Sequence, residues 1–321
     1  MSRSLAPFVL LTLALLGAPR TPAAEIAAGV VLVPGRFDPG RQPDGNSVVL
    51  RGKDGLVVVD TGRHAEHAKR VIEAARATGL PVKVIVNTHW HLDHVSGNAA
   101  LKAAFPSARV YASSAIDGAL KGFLASYRAQ LAEMIEKTPD PAKTREWRDE
   151  IARIDSGRAL APDEVVTSSG ERELVGRRLE LHLESRAVTE GDVWLFDLDT
   201  RVLVAGDLVT LPVPFLDTAC PARWQAALER ISKMDFRLLV PGHGAPMTRE
   251  AFHSYRDAFD RLLACAAAPR EKEACVEGWM KDAGSLLGGE DAAFVRSLAG
   301  YYVGEVLRGD GKRLAGLCGG S

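Results

Sequence analysis

The sequence predicts an α+β fold, on three observations. Short apolar runs bounded by Gly, Pro and Asp recur through the first half and again from residue 178, and read as β-strands. Residues 56–86 hold a strand, an amphipathic helix and a second strand in succession. Between Asp117 and Ile154, and from Arg249 onward, the apolar spacing is helical instead.

Taken in order, Gly29–Val33 and Ser47–Leu50 are strands separated by a Gly/Pro/Asp-rich loop from Pro34 to Gly45. Leu56–Val59 is a more buried strand ending in the turn Asp60-Thr61-Gly62. Ala65–Thr78 places Ala68, Val71, Ile72 and Ala75 on one helical face and stops at Gly79. His64 and His67, at its start, are expected on the exposed surface. Val82–Val86 is the next strand. The charged stretch 117–154, interrupted by Thr138-Pro139-Asp140-Pro141, reads as two inserted helices that either cover the site as a lid or pack on the outside. Arg178–Leu183 alternates apolar and polar residues, with His182 on the polar face. Val193–Phe196 and Val202–Ala205 flank a hairpin turn over 197–201, and Phe236–Val240 runs into Pro241-Gly242-His243-Gly244. In the helical tail, Tyr301 and Tyr302 are expected to pack rather than to react.

The chain opens on Arg3, the apolar stretch Phe8–Gly17 and the small residues Thr21-Pro22-Ala23-Ala24, the pattern of an export signal. That stretch is shorter than the roughly 20 residues a membrane-spanning helix takes. The reading is a removed signal over 1–24, with a retained N-terminal anchor as the alternative, followed by one exported domain over 25–321, periplasmic or secreted. Charge is balanced, 40 Lys+Arg against 41 Asp+Glu, without a basic stripe. That argues against a nucleic-acid partner and leaves a small-molecule substrate as the expectation, with no integral membrane segment in the mature chain. The cysteines are Cys220, Cys265, Cys275 and Cys318. An even count in an exported chain favours disulfides. Three pairings are open; Cys265–Cys275 is the most local and is the one expected, with Cys220–Cys318 as the second bridge.

The chemistry is concentrated in Asn87-Thr88-His89-Trp90-His91-Leu92-Asp93-His94-Val95-Ser96-Gly97-Asn98, straight after the strand Val82–Val86. At a strand end, period two projects His89 and His91 to one side, and Asp93 and His94 swing round as the chain enters a helix. Imidazole with carboxylate is a ligand set for zinc, and also suits iron or manganese. Two later strand ends carry matching residue types beside glycine, Gly206-Asp207-Leu208 and Gly242-His243-Gly244.

His-x-His-x-Asp-His at a strand end resembles the metal-binding signature of the metallo-β-lactamase superfamily, a group of mostly hydrolytic enzymes. The resemblance runs from about Ala27 to Pro246. It implies a four-layer αβ/βα sandwich, to which the helical insertion (about 117–157) and the helical C-terminal extension (about 249–321) are additions. It further implies that His89 and His91 belong to a first metal site, that Asp93, His94 and His243 hold a second, and that Asp207 bridges the two. Asp60 would support the metal loop from behind.

One block departs from the family pattern. A histidine is expected just before a Thr-x-Gly-Asp turn, yet this chain reads Val188-Thr189-Glu190-Gly191-Asp192, and valine cannot coordinate a metal. His182 lies about 20 Å upstream along an extended strand and is no substitute. The first set shrinks to His89, His91 and at most Asp207, while Asp93, His94, His243 and Asp207 remain intact. The expectation is one tightly bound zinc, with iron or manganese as alternatives and the first site weak or empty. It would serve hydrolysis of an amide, ester, lactone or thioester, with His89 and His91 holding the attacking water and acting as base and Asp207 orienting it. The competing expectation is a non-catalytic periplasmic accessory protein of the same fold that binds metal or a small ligand.

Overall fold

Strands β1 (Ala24–Ala27), β2 (Val30–Val33), β3 (Ser47–Arg51), β4 (Leu56–Val59), β5 (Val82–Val86), β6 (Arg109–Ala112) and β7 (Glu164–Val165) form one sheet in chain order. The first four are antiparallel neighbours and the rest pair in parallel. The second sheet runs β12-β11-β10-β9-β8, from β8 (Gly170–Leu174), β9 (Arg177–Glu184), β10 (Asp192–Asp197), β11 (Val202–Thr210) and β12 (Leu238–His243). This is a computed structural model, and it describes residues 22–37, 41–309 and 311–319. The export-signal reading falls on residues 1–24, and 1–21 lie outside the described residues.

The strands read as unbroken apolar runs because both of their faces are covered. Val48 and Leu50 of β3, Val57 and Val59 of β4, and Val84 and Val86 of β5 point inward and meet Leu179, Leu181, Val193, Leu195, Val202 and Val204 of the second sheet. The alternate residues, Val49, Leu56, Val58 and Ile85, point outward against Ala68, Val71 and Ala75 of α1 (Ala65–Arg76) and Leu101. Trp194, Phe196, Leu203 and Ala205 do the same on the far face, under the C-terminal helices. The result is the four-layer helix–sheet–sheet–helix sandwich.

Helices α2 (Leu92–Val95) and α3 (Asn98–Ala104) follow β5. The insertion holds three helices rather than the expected two: α4 (Ala115–Lys121), α5 (Phe123–Lys137) and α6 (Pro141–Asp155). The break at 138–140 is where the sequence placed it. Asp140 caps α6 by accepting from the Ala142 and Lys143 amides, and Pro141 occupies the first turn, where no amide donor is missed. The insertion packs on the histidine loop itself, since Ile116, Leu124, Leu131 and Ile154 form one cluster with Trp90, Leu92 and Val95.

Beyond the second sheet come α7 (Pro221–Ser232), α8 (Arg249–Ala267), α9 (Lys272–Asp282), α10 (Ala292–Tyr301) and α11 (Gly311–Cys318). Cys265–Cys275 joins α8 to α9, and Cys220–Cys318 ties α11 to the start of α7, both pairings as expected. Tyr302 is buried, as packing requires. No described helix is long and apolar enough to cross a membrane.

His64 and His67 are buried, which corrects the expected surface placement. The loop after β2 returns across the start of α1, where amides lack partners. Asp44 accepts from the Arg63 and His64 amides at 2.7 and 2.9 Å and from His64 Nδ1 at 2.9 Å. His67 turns inward to Ser47 Oγ at 2.9 Å. His182 is half-buried, stacked on its cross-strand neighbour Trp194 at 3.7 Å.

Arg177 links the sheets. Its guanidinium donates to both Asp197 oxygens at 2.9 and 2.6 Å and to the Arg51 carbonyl at 2.7 Å. Replacing Arg177 with Met strands a buried carboxylate and should lower unfolding free energy by about 3–5 kcal/mol in urea titrations. The double variant Arg177→Met/Asp197→Leu should recover most of that loss.

Candidate metal centre

The centre is assembled from residues just past β4 and β5, from the end of β12 and from the middle of β11, where Asp207 follows a register shift at Gly206 and not the strand end that the sequence suggested. Asp60, just past β4, sits at φ 56° and turns its carboxylate under the histidine loop. Its Oδ1 accepts from the Thr88 amide at 2.8 Å, and Oδ2 accepts from Thr88 Oγ1 at 2.7 Å and His94 Nδ1 at 2.8 Å. Because the Thr88 hydroxyl spends its proton on Asp60, its oxygen accepts from His89 Nδ1 at 2.9 Å. Both rings therefore direct Nε2 away from Asp60. Behind them, Asn98 donates to Asn87 at 2.7 Å and accepts from Thr61 at 3.0 Å, while Asn87 reaches the His94 carbonyl. The two asparagines that bracket the motif thus hold its backbone.

The atoms released by this scaffold converge. His94 Nε2 lies 3.2 Å from Asp207 Oδ1 and 3.7 Å from Asp93 Oδ2. His243 Nε2 lies 3.0 Å from Asp93 Oδ2 and 3.6 Å from Asp207 Oδ1, and His89 Nε2 lies 3.8 Å from Asp207 Oδ2. All five residues are buried. His89 Nε2, His94 Nε2 and Asp207 Oδ1 make no hydrogen bond, a costly condition for buried polar atoms. Two ligand groups result, His89/His94/Asp207 and Asp93/His94/His243, each with its atoms within 4.8 Å of one another. Imidazole nitrogen and carboxylate oxygen donors in this arrangement fit a divalent cation.

The charges support the same conclusion. Burial disfavours ionised His94, but the carboxylates of Asp207, Asp60 and Asp93 outweigh it and hold this imidazole well above its usual range. Burial likewise opposes ionised Asp93, and His94, a hydrogen bond from His243 and Arg63 reverse that, holding it well below the usual carboxylate range. Asp207 is lowered in the same way, against its burial, by His243 and His94. Burial pushes His91 down to about 4, and burial together with neighbouring His94 and His91 holds His89 well below the usual imidazole range.

Glycine is required where β12 crosses β11. A Cβ on Gly242 would lie 1.9 Å from Asp207 Oδ1, and one on Gly45 would lie 2.4 Å from the His94 ring. Any side chain at either place displaces a centre residue.

His91 falls outside both groups. Thr218 Oγ1 donates to the Val188 carbonyl at 2.9 Å, so its oxygen accepts from His91 Nε2 at 3.0 Å and leaves Nδ1 as that ring's open lone pair. The Val188 turn is built as the sequence suggested, with Asp192 accepting from the Val188 and Thr189 amides. The Val188 side chain itself is fully buried among apolar neighbours.

Two supporting residues, Thr218 and Arg63, carried no motif, and Thr88 stood in the histidine stretch without a role of its own. Arg63 reaches Asp93 Oδ1 at 3.5 Å, pairs with Glu150 of α6 and donates to the Pro43 carbonyl, so it links the insertion to the centre.

Comparison with known proteins agrees with this geometry. The family model described as the metallo-beta-lactamase superfamily matches residues 40–243, more than half of the chain. A linear primary-alkylsulfatase from Pseudomonas sp. (strain ATCC 19151) is 25% identical over 238 residues, 65% of this chain and 44% of that protein, so the chain spans less than half of that relative's length. A hydroxyacylglutathione hydrolase from Gloeobacter violaceus is 46% identical over 55 residues, 17% of this chain and 22% of that enzyme. Among solved structures, a metallo-beta-lactamase from Pontibacter korlensis aligns over 74% of this chain and 98% of its own, at TM-score 0.55 and 19% identity. One from Hirschia baltica aligns over 74% and 97%, at TM-score 0.53 and 18% identity. The chain belongs to the metallo-β-lactamase superfamily.

Proposed function

We propose that this protein is an exported, metal-dependent hydrolase that activates water with a single divalent ion, zinc in the first instance, held by Asp93, His94, His243 and Asp207. The observation that carries this is the convergence of His94 Nε2 and His243 Nε2 on Asp93 Oδ2 and Asp207 Oδ1, at 3.0–3.7 Å, with His94 Nε2 and Asp207 Oδ1 buried and without a hydrogen bond. A single ion is favoured because His94 commits Nδ1 to Asp60 and has one nitrogen left, so the two ligand groups that share it compete. The paired cysteines support export, being a feature of oxidising compartments.

A divalent ion in this set supplies Lewis acidity and brings the pKa of water from about 15.7 toward about 7. The remaining work falls to the chain. His91 is neutral, with Nε2–H fixed on Thr218 and Nδ1 open, so it can accept the proton of an attacking water. His89 Nε2 and Asp207 Oδ2 orient that water, and Asp60 keeps both loop histidines in the required tautomers. The insertion, packed on Trp90, Leu92 and Val95, limits access of bulk water. The susceptible bond is an ester, lactone, thioester, amide or, by likeness to the alkylsulfatase, a sulfate ester.

The purified mature protein should hydrolyse at least one member of a panel comprising a chromogenic β-lactam, a lactone, a thioester and an aryl sulfate, and a chelator should abolish the activity. Turnover that survives complete metal removal would overturn the metal-dependent mechanism, and none on any substrate would favour the non-catalytic metal-binding accessory protein instead. His89→Ala and His91→Ala should each lower kcat by about 10²–10⁴-fold; unchanged turnover would remove both from the reaction. Asp60→Asn, which turns an acceptor of three hydrogen bonds into a partial donor, should weaken metal affinity about 10–100-fold in competition with a chelating dye.

A further inference from the structure

The two additions to the sandwich each carry an exposed phenyl ring that is linked through one intervening ring to a histidine of the site. On one side, Phe123 at the start of α5 packs on Trp90 at 5.6 Å, and Trp90 packs edge-on against His91 at 4.6 Å. Phe215, from the loop after β11, meets the same His91 at 5.0 Å and is backed by Tyr302 at 6.0 Å. On the other side, Phe294 of α10 packs on Phe37 at 5.8 Å, and Phe37 meets His243 at 5.7 Å. Phe123 is 39% exposed and Phe294 42%, while Phe37 and Phe215 are half-buried.

This is not scattered surface apolarity. Among the described residues the large exposed apolar side chains are Phe123, Met134, Val165, Phe294 and Tyr301, and three of these five stand on the two ring chains. The polar atoms within the chains are already satisfied. Trp90 Nε1 donates to Glu190, and Tyr301 donates to Asp217, which Arg313 also holds. What remains toward solvent is aromatic carbon, continuous with two histidines of a buried polar centre.

We infer that these rings form a substrate-binding rim selecting an apolar chain or aryl group next to the bond that is cleaved. The inference rests on the metal-hydrolase reading and narrows it to hydrophobic acyl or alkyl substrates. A polar substrate would leave the rings in water, whereas an apolar chain removes them from it at a gain of about two- to fourfold in affinity per methylene.

The test is calorimetric binding of acetohydroxamate, hexanohydroxamate and octanohydroxamate to the zinc-loaded full chain, beside Phe123→Ala and Phe294→Ala. Both rings are exposed enough for the variants to fold, and far-UV circular dichroism would verify it. Octanohydroxamate should bind at least about tenfold more tightly than acetohydroxamate, and each variant should lower that ratio severalfold. A flat series in a protein that turns over its panel would overturn the rim and leave the hydrolase reading standing. So would a slope that persists in both variants. A steep series in a protein without turnover on any substrate would overturn the hydrolase reading, and with it the rim's place beside a cleaved bond, while the rings' preference for an apolar chain would stand.

Discussion

The Asp60 carboxylate is the constraint on which the site depends. It accepts from the Thr88 amide, the Thr88 hydroxyl and His94 Nδ1, and through Thr88 it also fixes His89. Three acceptor contacts on a buried group leave no freedom in the loop they hold. The price is a non-glycine residue at φ 56°, which the chain sustains because β4 and β5 run parallel immediately behind it. With Nδ1 occupied on both rings, Nε2 of each must face Asp207. The direction in which the centre's imidazole nitrogens point is therefore set by hydrogen bonds formed outside it.

The sandwich brings the middle of β11 and the end of β12 to that loop. Asp207 follows Gly206 on β11 and His243 closes β12, and the two strands lie so close that only glycine fits at 242. The additions to the sandwich then act on the centre instead of decorating it. The insertion shares a core cluster with the histidine loop, and Arg63 joins its Glu150 to Asp93. The C-terminal extension is tied by Cys220–Cys318 next to Thr218, the residue that orients His91.

Much of this was legible in the sequence because it depends on local pattern. The buried strands β3, β4 and β5 appear as apolar runs, α1 as a periodic face, and the histidine loop and the two glycine-flanked strand ends as motifs. What escaped depends on contacts between distant segments. β6, β7 and β8 are short or polar strands whose place in a sheet comes from their neighbours. His64 and His67 looked exposed because their burial is created by Asp44 and Ser47, on a loop and a strand some twenty residues earlier. Thr218 and Arg63 belong to no spacing at all; only the fold sets them beside His91 and Asp93. Val188 was legible as a broken motif, but the hydrogen bond that occupies its carbonyl was not.

The proposed mononuclear centre rests on two limits: the two ligand groups share His94, which has one nitrogen to give, and Val188 supplies no ligand to complete a set with His89 and His91. The direct test is the number of zinc equivalents bound tightly by the purified protein and by Val188→His, measured by elemental analysis after gel filtration. The account predicts about one equivalent for the natural chain and a rise toward two in the variant, where a third imidazole joins His89 and His91. Two tight equivalents in the natural chain would contradict it.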